Sequence, residues 1–434
     1  MSAKEIGIGI LGLGTVGSGV VSLLLRNGEL MRRRAGCDLS VKRVLVRDQE
    51  KSREVELPPE TVTTSFEAVI EDPEVDLVVE LLGGLEPSRS YIERALQAGK
   101  GVVTANKDVI ATYGEELLQT ARGHSCNLWF EGSVGGGIPL IRPLKNCLAA
   151  NRVERLIGIV NGTTNYILTR MSQQGMDFAE ALQEAQDRGF AEPDPTNDVD
   201  GWDAAYKLII LGTLAFGTMV PMEKVYLQGI RGISFRDLEY AEELGYTIKL
   251  VAVGEVQNGQ ISLKVHPSLL PLKHPLAAVY DEFNALFLEG DAVGEVMFYG
   301  RGAGAFPTAS AVVGDIIEAG GSIAHGIDST TLDVNLDPLP VLPVDDMISS
   351  FYLRLEAHDR PGVFAALAST FGEQQVSLDM IIQKRSEAGT AEIVLITHDV
   401  KESNFWEAVD KISHISAISA VHAIFRVISK EHPS

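Results

Sequence analysis

Cysteine is scarce in this chain: Cys37, Cys126 and Cys147 stand far apart, no CxxC occurs, and no histidine lies at metal-ligand spacing from them. They read as reduced thiols used as small apolar residues, and their contexts argue against a thioester-forming aldehyde dehydrogenase. No apolar run reaches the roughly 20 residues that cross a bilayer. The longest, Leu208 to Met222, contains two glycines and Pro221. No signal-like segment precedes the first strand, since Met1-Ser2-Ala3-Lys4-Glu5 leads straight into it. Positive charge is also in deficit, with 37 Lys and Arg against 59 Asp and Glu and a formal net charge of −22. That balance opposes binding to nucleic acid or to an anionic membrane, and the local run Arg32-Arg33-Arg34 reads as a solvated helix end. A soluble cytoplasmic protein is expected, and 434 residues suggest two or three domains with ample core.

What is present begins at the N-terminus. Ile6-Gly7-Ile8-Gly9-Ile10-Leu11 reads as a buried strand running into Gly12-Leu13-Gly14-Thr15-Val16-Gly17, with a helix pattern through Val20, Val21, Leu23, Leu24 and Leu25. Strand, glycines and helix in this order form a dinucleotide fingerprint: the glycines make the tight turn, admit a pyrophosphate and let the helix pack on the strand. The next strand, Val41 to Val46, is followed by Arg47 and Asp48. An acid at this place binds a ribose 2′-hydroxyl, whereas an arginine favours a 2′-phosphate. With Lys51 and Arg53 nearby, the reading is NADP, while Asp48 leaves NAD open.

The stretch Gly189 to Lys207 carries five carboxylates on one turn: Glu192, Asp194, Asp198, Asp200 and Asp203. Pro193 and Pro195 push Glu192 and Asp194 out of the helical region, so a rigid extended loop is expected there. A helix starts at Trp202, which puts Asp203 and Lys207 at i and i+4 on one face. The plain alternative is an exposed helical ion pair worth roughly 0.2–0.5 kcal/mol. The acidic turn before the pair and the apolar helix after it favour a lysine at the edge of a buried cleft, where perturbed ionisable groups cluster.

Other segments point the same way. Val75 to Gly84 reads as a buried parallel strand, Tyr91 to Ala98 as a helix, and Gly101 to Lys107 as a strand delivering Asn106 and Lys107 at the carboxyl edge, where open α/β sheets bind ligands. Glu131-Gly132-Ser133-Val134-Gly135-Gly136-Gly137-Ile138 combines a carboxylate with free carbonyls, which suits a hard monovalent or divalent cation or else a plain hinge. Asn161-Gly162-Thr163-Thr164-Asn165 offers amides and hydroxyls that hold a small polar substrate or cap a helix starting near Thr164.

Taken in order through roughly residues 5 to 340, these motifs resemble homoserine dehydrogenase. The resemblance implies an NAD(P)-dependent oxidoreductase interconverting L-homoserine and L-aspartate 4-semialdehyde. It implies that Gly12, Leu13, Gly14, Thr15, Val16 and Gly17 hold the dinucleotide, with Arg47 near the 2′-phosphate and Thr104 and Lys107 near the nicotinamide. It implies that Glu192 binds the substrate ammonium, that Asp198 and Asp203 orient substrate and lysine, and that Lys207 is the proton donor and acceptor, with Lys107 assisting. It further implies a sodium ion held by the Glu131 side chain and the carbonyls of Val134, Gly136 and Ile138, and a late loop with Gly302 and Gly304 closing on the cofactor. The chemistry agrees, because reducing an aldehyde places negative charge on its oxygen and requires a cation and a proton source there. Two readings of other classes stay open: a non-catalytic dinucleotide-binding amino-acid sensor, and a dehydrogenase acting on the α-amine, which would need ammonia.

Beyond a proline-rich linker at Leu336 to Asp346, the chain reads as strand, helix, strand, strand, helix, strand over Ser350–Ala357, Gly362–Phe371, Val376–Lys384, Thr390–Thr397, Asn404–Ile412 and Ile418–Val427. That order predicts a ferredoxin-like domain. With Asp359-Arg360-Pro361-Gly362 after its first strand it resembles an ACT domain, which implies an amino-acid effector such as threonine bound at paired interfaces, against a role in assembly alone. The expected fold class is therefore α/β: a Rossmann-type dinucleotide-binding domain over 1–132, completed by about 305–340, an α+β substrate and dimerisation domain over 133–304, and an ACT domain over 350–434. A homodimer or homotetramer is expected.

Overall fold

Ile6, Ile8, Ile10 and Leu11 of β1 (Glu5–Leu11) are fully buried, as a parallel strand covered on both faces demands. The computed structural model describes residues 4–53, 55–327, 338–385 and 389–428. Leu336 and Asp337 of the expected linker lie outside the described residues. The chain divides into two units: Met1–Val153, Ile209–Met222 and Asn284–Pro338 in the first, and Glu154–Leu208, Glu223–Phe283 and Leu339–Ser434 in the second.

In the first unit, β1 is joined by β2 (Asp38–Leu45), β3 (Val62–Thr63), β4 (Leu77–Glu80), β5 (Gly101–Thr104) and β6 (Leu128–Trp129). Their order is β3-β2-β1-β4-β5-β6 and every pair is parallel, which is the doubly wound Rossmann arrangement. Helix α1 (Thr15–Arg26) and the long helix Ala305–His325 bury Val20, Val21, Val312 and Ile316 in the same core as Ile6, Ile8 and Ile10. The late helix thus packs on this sheet although some 300 residues separate it from α1 in the sequence. Cys37 is buried here, but Cys147 ends the turn Pro143–Cys147 and is exposed. All three cysteines are free thiols, and of the three read as small apolar residues Cys147 is the one left facing solvent.

In the second unit the strands are β7 (Val153–Ile159), β8 (Tyr246–Gln257), β9 (Gln260–Pro271), β10 (Ile348–His358), β11 (Leu378–Arg385), β12 (Thr390–Thr397) and β13 (Ile418–Val427). They run in the order β7-β8-β9-β13-β10-β12-β11. Asn258 and Gly259, both at positive φ (51° and 75°), turn β8 into β9, and the two-residue Asn-Gly loop fixes the hairpin register. The last four strands carry helices Val363–Glu373 and Glu402–Ser413 and enclose Phe351, Leu353, Leu367, Phe371 and Phe405. This is the βαββαβ unit expected of an ACT domain, and its strand β13 pairs in parallel with β9 at Ser268↔Arg426 and Leu269↔Val427. The ACT strands therefore continue the neighbouring sheet.

No helix among the described residues is long and apolar enough to cross a membrane. The helix starting at Trp202 runs to Phe216, straight through Gly212. Burial of Leu208, Ile209, Ile210 and Leu211 outweighs the roughly 1 kcal/mol that an interior glycine costs.

One buried cation carries a pH prediction. Lys249 on β8 is 2% exposed, donates to the Val279 carbonyl at 2.6 Å and Asn165 Oδ1 at 3.1 Å, and lies over the Tyr280 ring. Burial lowers its pKa from 10.5 to about 7, partly offset by Asp281. Between about 7 and 10.5 the unfolded chain holds this proton and the folded chain does not, so stability rises with pH across that window. Chemical denaturation at both ends of the window is expected to show that rise in the wild type and lose this contribution in Lys249→Met; an unchanged slope in the variant would refute the assignment.

Candidate active site

In the second unit, helix α2 (Gly162–Gln174) begins at Asn161, whose Oδ1 accepts from the Thr164 amide at 2.8 Å and the Thr164 hydroxyl at 2.9 Å. That cap fixes the Asn161 side chain and aims its amide nitrogen outward. Nδ2 donates to Asp198 Oδ1 at 2.7 Å and to Asp203 Oδ2 at 2.8 Å. Lys207 Nζ donates to the same Asp203 oxygen at 2.7 Å and to the Val160 carbonyl at 2.7 Å. Asp203 and Lys207 lie one turn apart on helix α3 (Trp202–Phe216), and each side chain is 12% exposed. Two of the three ammonium hydrogens are thereby engaged, leaving one for a ligand.

The electrostatics are asymmetric. Burial, then the charge of Asp203, pushes the Asp198 carboxyl above the usual carboxylate range, against the opposing pull of Asn161 and Lys207. Two carboxylates therefore face one lysine, with a neutral amide separating them.

The five carboxylates expected to crowd one turn divide into three groups. Asp198 and Asp203 converge on Lys207 through Asn161. Asp200 pairs with Arg231 at 2.5 Å. Glu192 and Asp194 are exposed, and Asp194 accepts from the Thr196 amide at 3.1 Å. The segment is also not extended throughout, because Thr196–Val199 forms a helical turn that carries Asp198 inward. Asn161 was legible as a helix cap; its grip on Asp198 and Asp203, 37 and 42 residues away, had no local signal.

In the first unit, Gly12 sits at φ 102°, and a Cβ on Gly17 would stand 2.2 Å from the Gly12 carbonyl oxygen. Both positions therefore require glycine. Gly14 caps α1 with no side-chain acceptor, no acidic residue occupies the first turn, and among the described residues, its chain neighbours aside, no atom lies within 4 Å of where its Cβ would be. A free helix N-terminus over open space fits a pyrophosphate. Leu13, Thr15 and Val16 complete this turn. Arg47 is exposed just beyond β2, while the Asp48 carboxylate turns back to accept from the Glu50 amide at 2.9 Å.

Thr104, at the end of β5, is fully buried; its hydroxyl donates to Glu80 Oε2 at 2.7 Å and accepts from the Asn106 amide at 3.0 Å. Its hydroxyl is thereby engaged on both sides within the protein. Glu80, absent from the sequence-based set, holds this edge by also accepting from the Leu82 amide at 2.8 Å. Asn106 caps the helix Lys107–Gly123, placing half-buried Lys107 at its first position, 3.9 Å from the Asp108 carboxylate.

Glu131 is 3% exposed, and its two oxygens accept from the amides of Leu140, Ile141 and Arg142 at 2.6, 2.9 and 2.9 Å. Among the described residues no donor reaches the carbonyls of Val134, Gly136 or Ile138. Three unengaged carbonyls and a carboxylate with one acceptor direction left fit a hard cation. Gly136, at φ 53°, packs against the Gly302 backbone, where its Cβ would stand 2.5 Å from the Gly302 oxygen; Gly304 caps the helix that follows.

Comparison with known proteins converges on one description. Family profiles match in chain order: "Homoserine dehydrogenase, NAD binding domain" over residues 12–131, "Homoserine dehydrogenase" over 139–317, and "ACT domain" over 351–413. A homoserine dehydrogenase of Synechocystis sp. is 46% identical over 432 residues, covering 97% of this chain and 99% of the relative. One from Bacillus subtilis is 42% identical over 426 residues, covering 98% of each. The crystal structure of a homoserine dehydrogenase from Thiobacillus denitrificans superimposes with a TM-score of 0.94 at 41% identity, covering 99% of both chains. A hyperthermophilic archaeal homoserine dehydrogenase in complex with NADPH aligns at a TM-score of 0.62 and 29% identity over 73% of this chain and 97% of its own.

Proposed function

Since the chain belongs to the homoserine dehydrogenase family and is an NAD(P)-dependent oxidoreductase with a C-terminal ACT domain, we propose the following division of labour among its residues. The reaction is the reversible reduction of L-aspartate 4-semialdehyde to L-homoserine. The observation that carries the assignment is the Asn161, Asp198, Asp203 and Lys207 cluster, because it presents one oriented ammonium hydrogen from a semi-buried lysine.

Lys207 protonates the oxygen that becomes an alkoxide on reduction, and accepts the alcohol proton in the reverse direction. Asp203 and the Val160 carbonyl hold its Nζ in place, so little reorganisation accompanies charge development. Asp198 and exposed Glu192 supply negative charge for the substrate ammonium. Lys107 supplies a second cation. When bound, the nicotinamide carries hydride to and from the substrate carbon. Residues Gly12 to Gly17 hold the pyrophosphate, Arg47 the adenosine-side phosphate, the Thr104 backbone and Lys107 the nicotinamide side, and Gly302 and Gly304 the covering loop. Glu131 with the carbonyls of Val134, Gly136 and Ile138 would hold a sodium ion, whose chemistry there is structural: it neutralises a buried carboxylate and fixes the glycine loop.

These roles fall on residues 1–132 with about 305–340 for the dinucleotide, 133–304 for substrate and subunit pairing, and 350–434 for regulation by an amino acid such as threonine, in a homodimer or homotetramer. NADP is the assigned cofactor, supported by exposed Arg47 and by an Asp48 carboxylate already used within its own turn. Nicotinamide absorbance with L-homoserine is expected to show higher kcat/KM with NADP than with NAD. Arg47→Ala is expected to lower kcat/KM for NADP by roughly ten-fold or more, the worth of a charge-assisted hydrogen bond of about 1.5–3 kcal/mol, and to leave NAD nearly unaffected. A wild type that favours NAD, or a variant losing both equally, would refute the assignment.

A further inference from the structure

Glu80 ends β4 and is fully buried, on a strand whose other residues are Leu77, Val78 and Val79. A carboxylate in such a place is unfavourable unless it is paired or hydrogen-bonded. Among the described residues its partners are neutral donors, and no lysine or arginine pairs with it. Its position at the carboxyl edge of the sheet, where open α/β sheets bind ligands, suggests that the burial serves the site.

Each oxygen serves a different loop. Oε1 accepts from the Leu82 amide at 2.8 Å, in the loop that follows β4. Oε2 accepts from the Thr104 hydroxyl at 2.7 Å, and Thr104 is the register partner of Glu80 on β5. Having given its only hydrogen to Glu80, that hydroxyl accepts the Asn106 amide at 3.0 Å. Asn106 then reaches back across the edge: Nδ2 donates to the Gly84 carbonyl at 2.7 Å, while Oδ1 takes the Val109 amide at 3.2 Å and caps the helix that begins with Lys107. Gly83 and Gly84, at φ 76° and 72°, bend the β4 loop through the left-handed region that glycine favours. Glu80, Leu82 to Gly84, Asn106 and Thr104 thus close a hydrogen-bonded ring with Lys107 attached to it. The same strand end abuts the glycine turn, since the Leu81 amide donates to the Leu11 carbonyl at 2.8 Å. Hydrogen bonds to an ionised carboxylate are roughly twice as strong as neutral ones, so the charge stiffens the ring.

We propose that Glu80 is a positioning residue for the nicotinamide end of the site: its carboxylate locks the loops after β4 and β5 into one rim and, through Thr104 and Asn106, sets the place of Lys107. This role rests on the reading of Lys107 as the cation on the nicotinamide side. A carboxylate that served the fold alone would loosen the whole nucleotide site when altered, whereas one that places Lys107 acts on the nicotinamide end and spares the adenosine end.

Calorimetry on the full chain with NADP and with 2′,5′-ADP, which lacks the nicotinamide end, separates the two, and turnover is followed in parallel. Glu80→Gln keeps the size of the side chain but loses the charge and cannot accept from both donors. Thr104→Val breaks the ring at the shared hydroxyl with little change of shape. Each is expected to weaken NADP binding by roughly ten-fold or more, as loss of a hydrogen bond to a charged group does, and to lower kcat. Affinity for 2′,5′-ADP should stay at the wild-type level, which also shows that the variants fold. In a Lys107→Ala background most of the loss caused by Glu80→Gln should disappear, because residues acting as a unit are not additive. Equal weakening of NADP and 2′,5′-ADP would overturn the positioning role in favour of a general structural one. Full additivity with Lys107→Ala would overturn action through that lysine. Wild-type NADP affinity and kcat in both ring variants, beside an impaired Lys107→Ala, would overturn the role of Glu80 alone. An unimpaired Lys107→Ala would overturn the reading of Lys107 and the role of Glu80 with it.

Discussion

Lys207→Met is expected to lower kcat for L-homoserine oxidation by roughly 10²–10⁴-fold, the range that a positioned proton-transfer group contributes. Methionine keeps the unbranched stem and helix propensity, so the loss is chemical. The Lys207 ammonium is held by Asp203 Oδ2 and the Val160 carbonyl, both at 2.7 Å, and both partners are acceptors with no proton of their own to give a substrate oxygen. The effect should therefore fall on kcat, with cofactor affinity unchanged, because the nucleotide-holding glycines belong to the other unit. Asp203→Asn should lie between variant and wild type: the amide preserves size but loses the charge that orients the ammonium. Asn161→Ala should also reduce kcat, since Nδ2 is the shared tether of Asp198 and Asp203. A Lys207→Met enzyme retaining more than about a tenth of wild-type kcat would contradict the proton-transfer assignment.

Asp237→Ala is expected to destabilise the second unit by about 3–5 kcal/mol, the cost of leaving one partner of a buried ion pair without the other. Asp237 is fully buried at the start of helix Phe235–Glu243, where it also closes a capping box with Ser234. Arg354 on β10 donates to its Oδ1 at 2.6 Å and its Oδ2 at 3.2 Å, and reaches Glu392 Oε1 at 2.9 Å. The bridge ties an ACT strand to a helix outside the ACT domain, 117 residues away in sequence. Removing Asp237 leaves a buried guanidinium short of charge and removes a helix cap together. The double variant Asp237→Ala with Arg354→Met should recover much of the loss, because the stranded charge disappears. Urea denaturation of the three proteins decides it; a single-variant loss below about 1 kcal/mol would show the pair to be no better than a surface bridge.

Much of this was legible in the chain because the relevant signals are local. The glycine turn at Gly12 to Gly17 depends on positions a few residues apart, and the structure places Gly17 against the Gly12 carbonyl. The Asp203 and Lys207 pairing follows from helical spacing and is present at 2.7 Å. The strand and helix order of the ACT domain follows from alternating apolar residues, with two of its strands, Thr390–Thr397 and Ile418–Val427, starting and ending where the pattern does. What stayed hidden is long-range. Nothing near Asn161 announces Asp198 and Asp203 as its partners, nothing near Thr104 announces that Glu80 takes its hydroxyl, and nothing near Asp237 announces Arg354. Carboxylate counting also misled, since residues adjacent in sequence leave a tight turn in different directions: Asp200 goes to Arg231 while Asp198 turns inward.

Everything above turns on Lys207 of helix α3, held by Asp203 and the Val160 carbonyl, carrying the proton for an NAD(P)-dependent homoserine reaction. Nicotinamide absorbance with L-homoserine and NADP tests it most directly, run on wild type and Lys207→Met with nucleotide binding measured on the same samples. Homoserine-dependent reduction in the wild type, with turnover collapsing in the variant while nucleotide still binds, is the predicted result. Undiminished turnover in a folded Lys207→Met enzyme would contradict the claim.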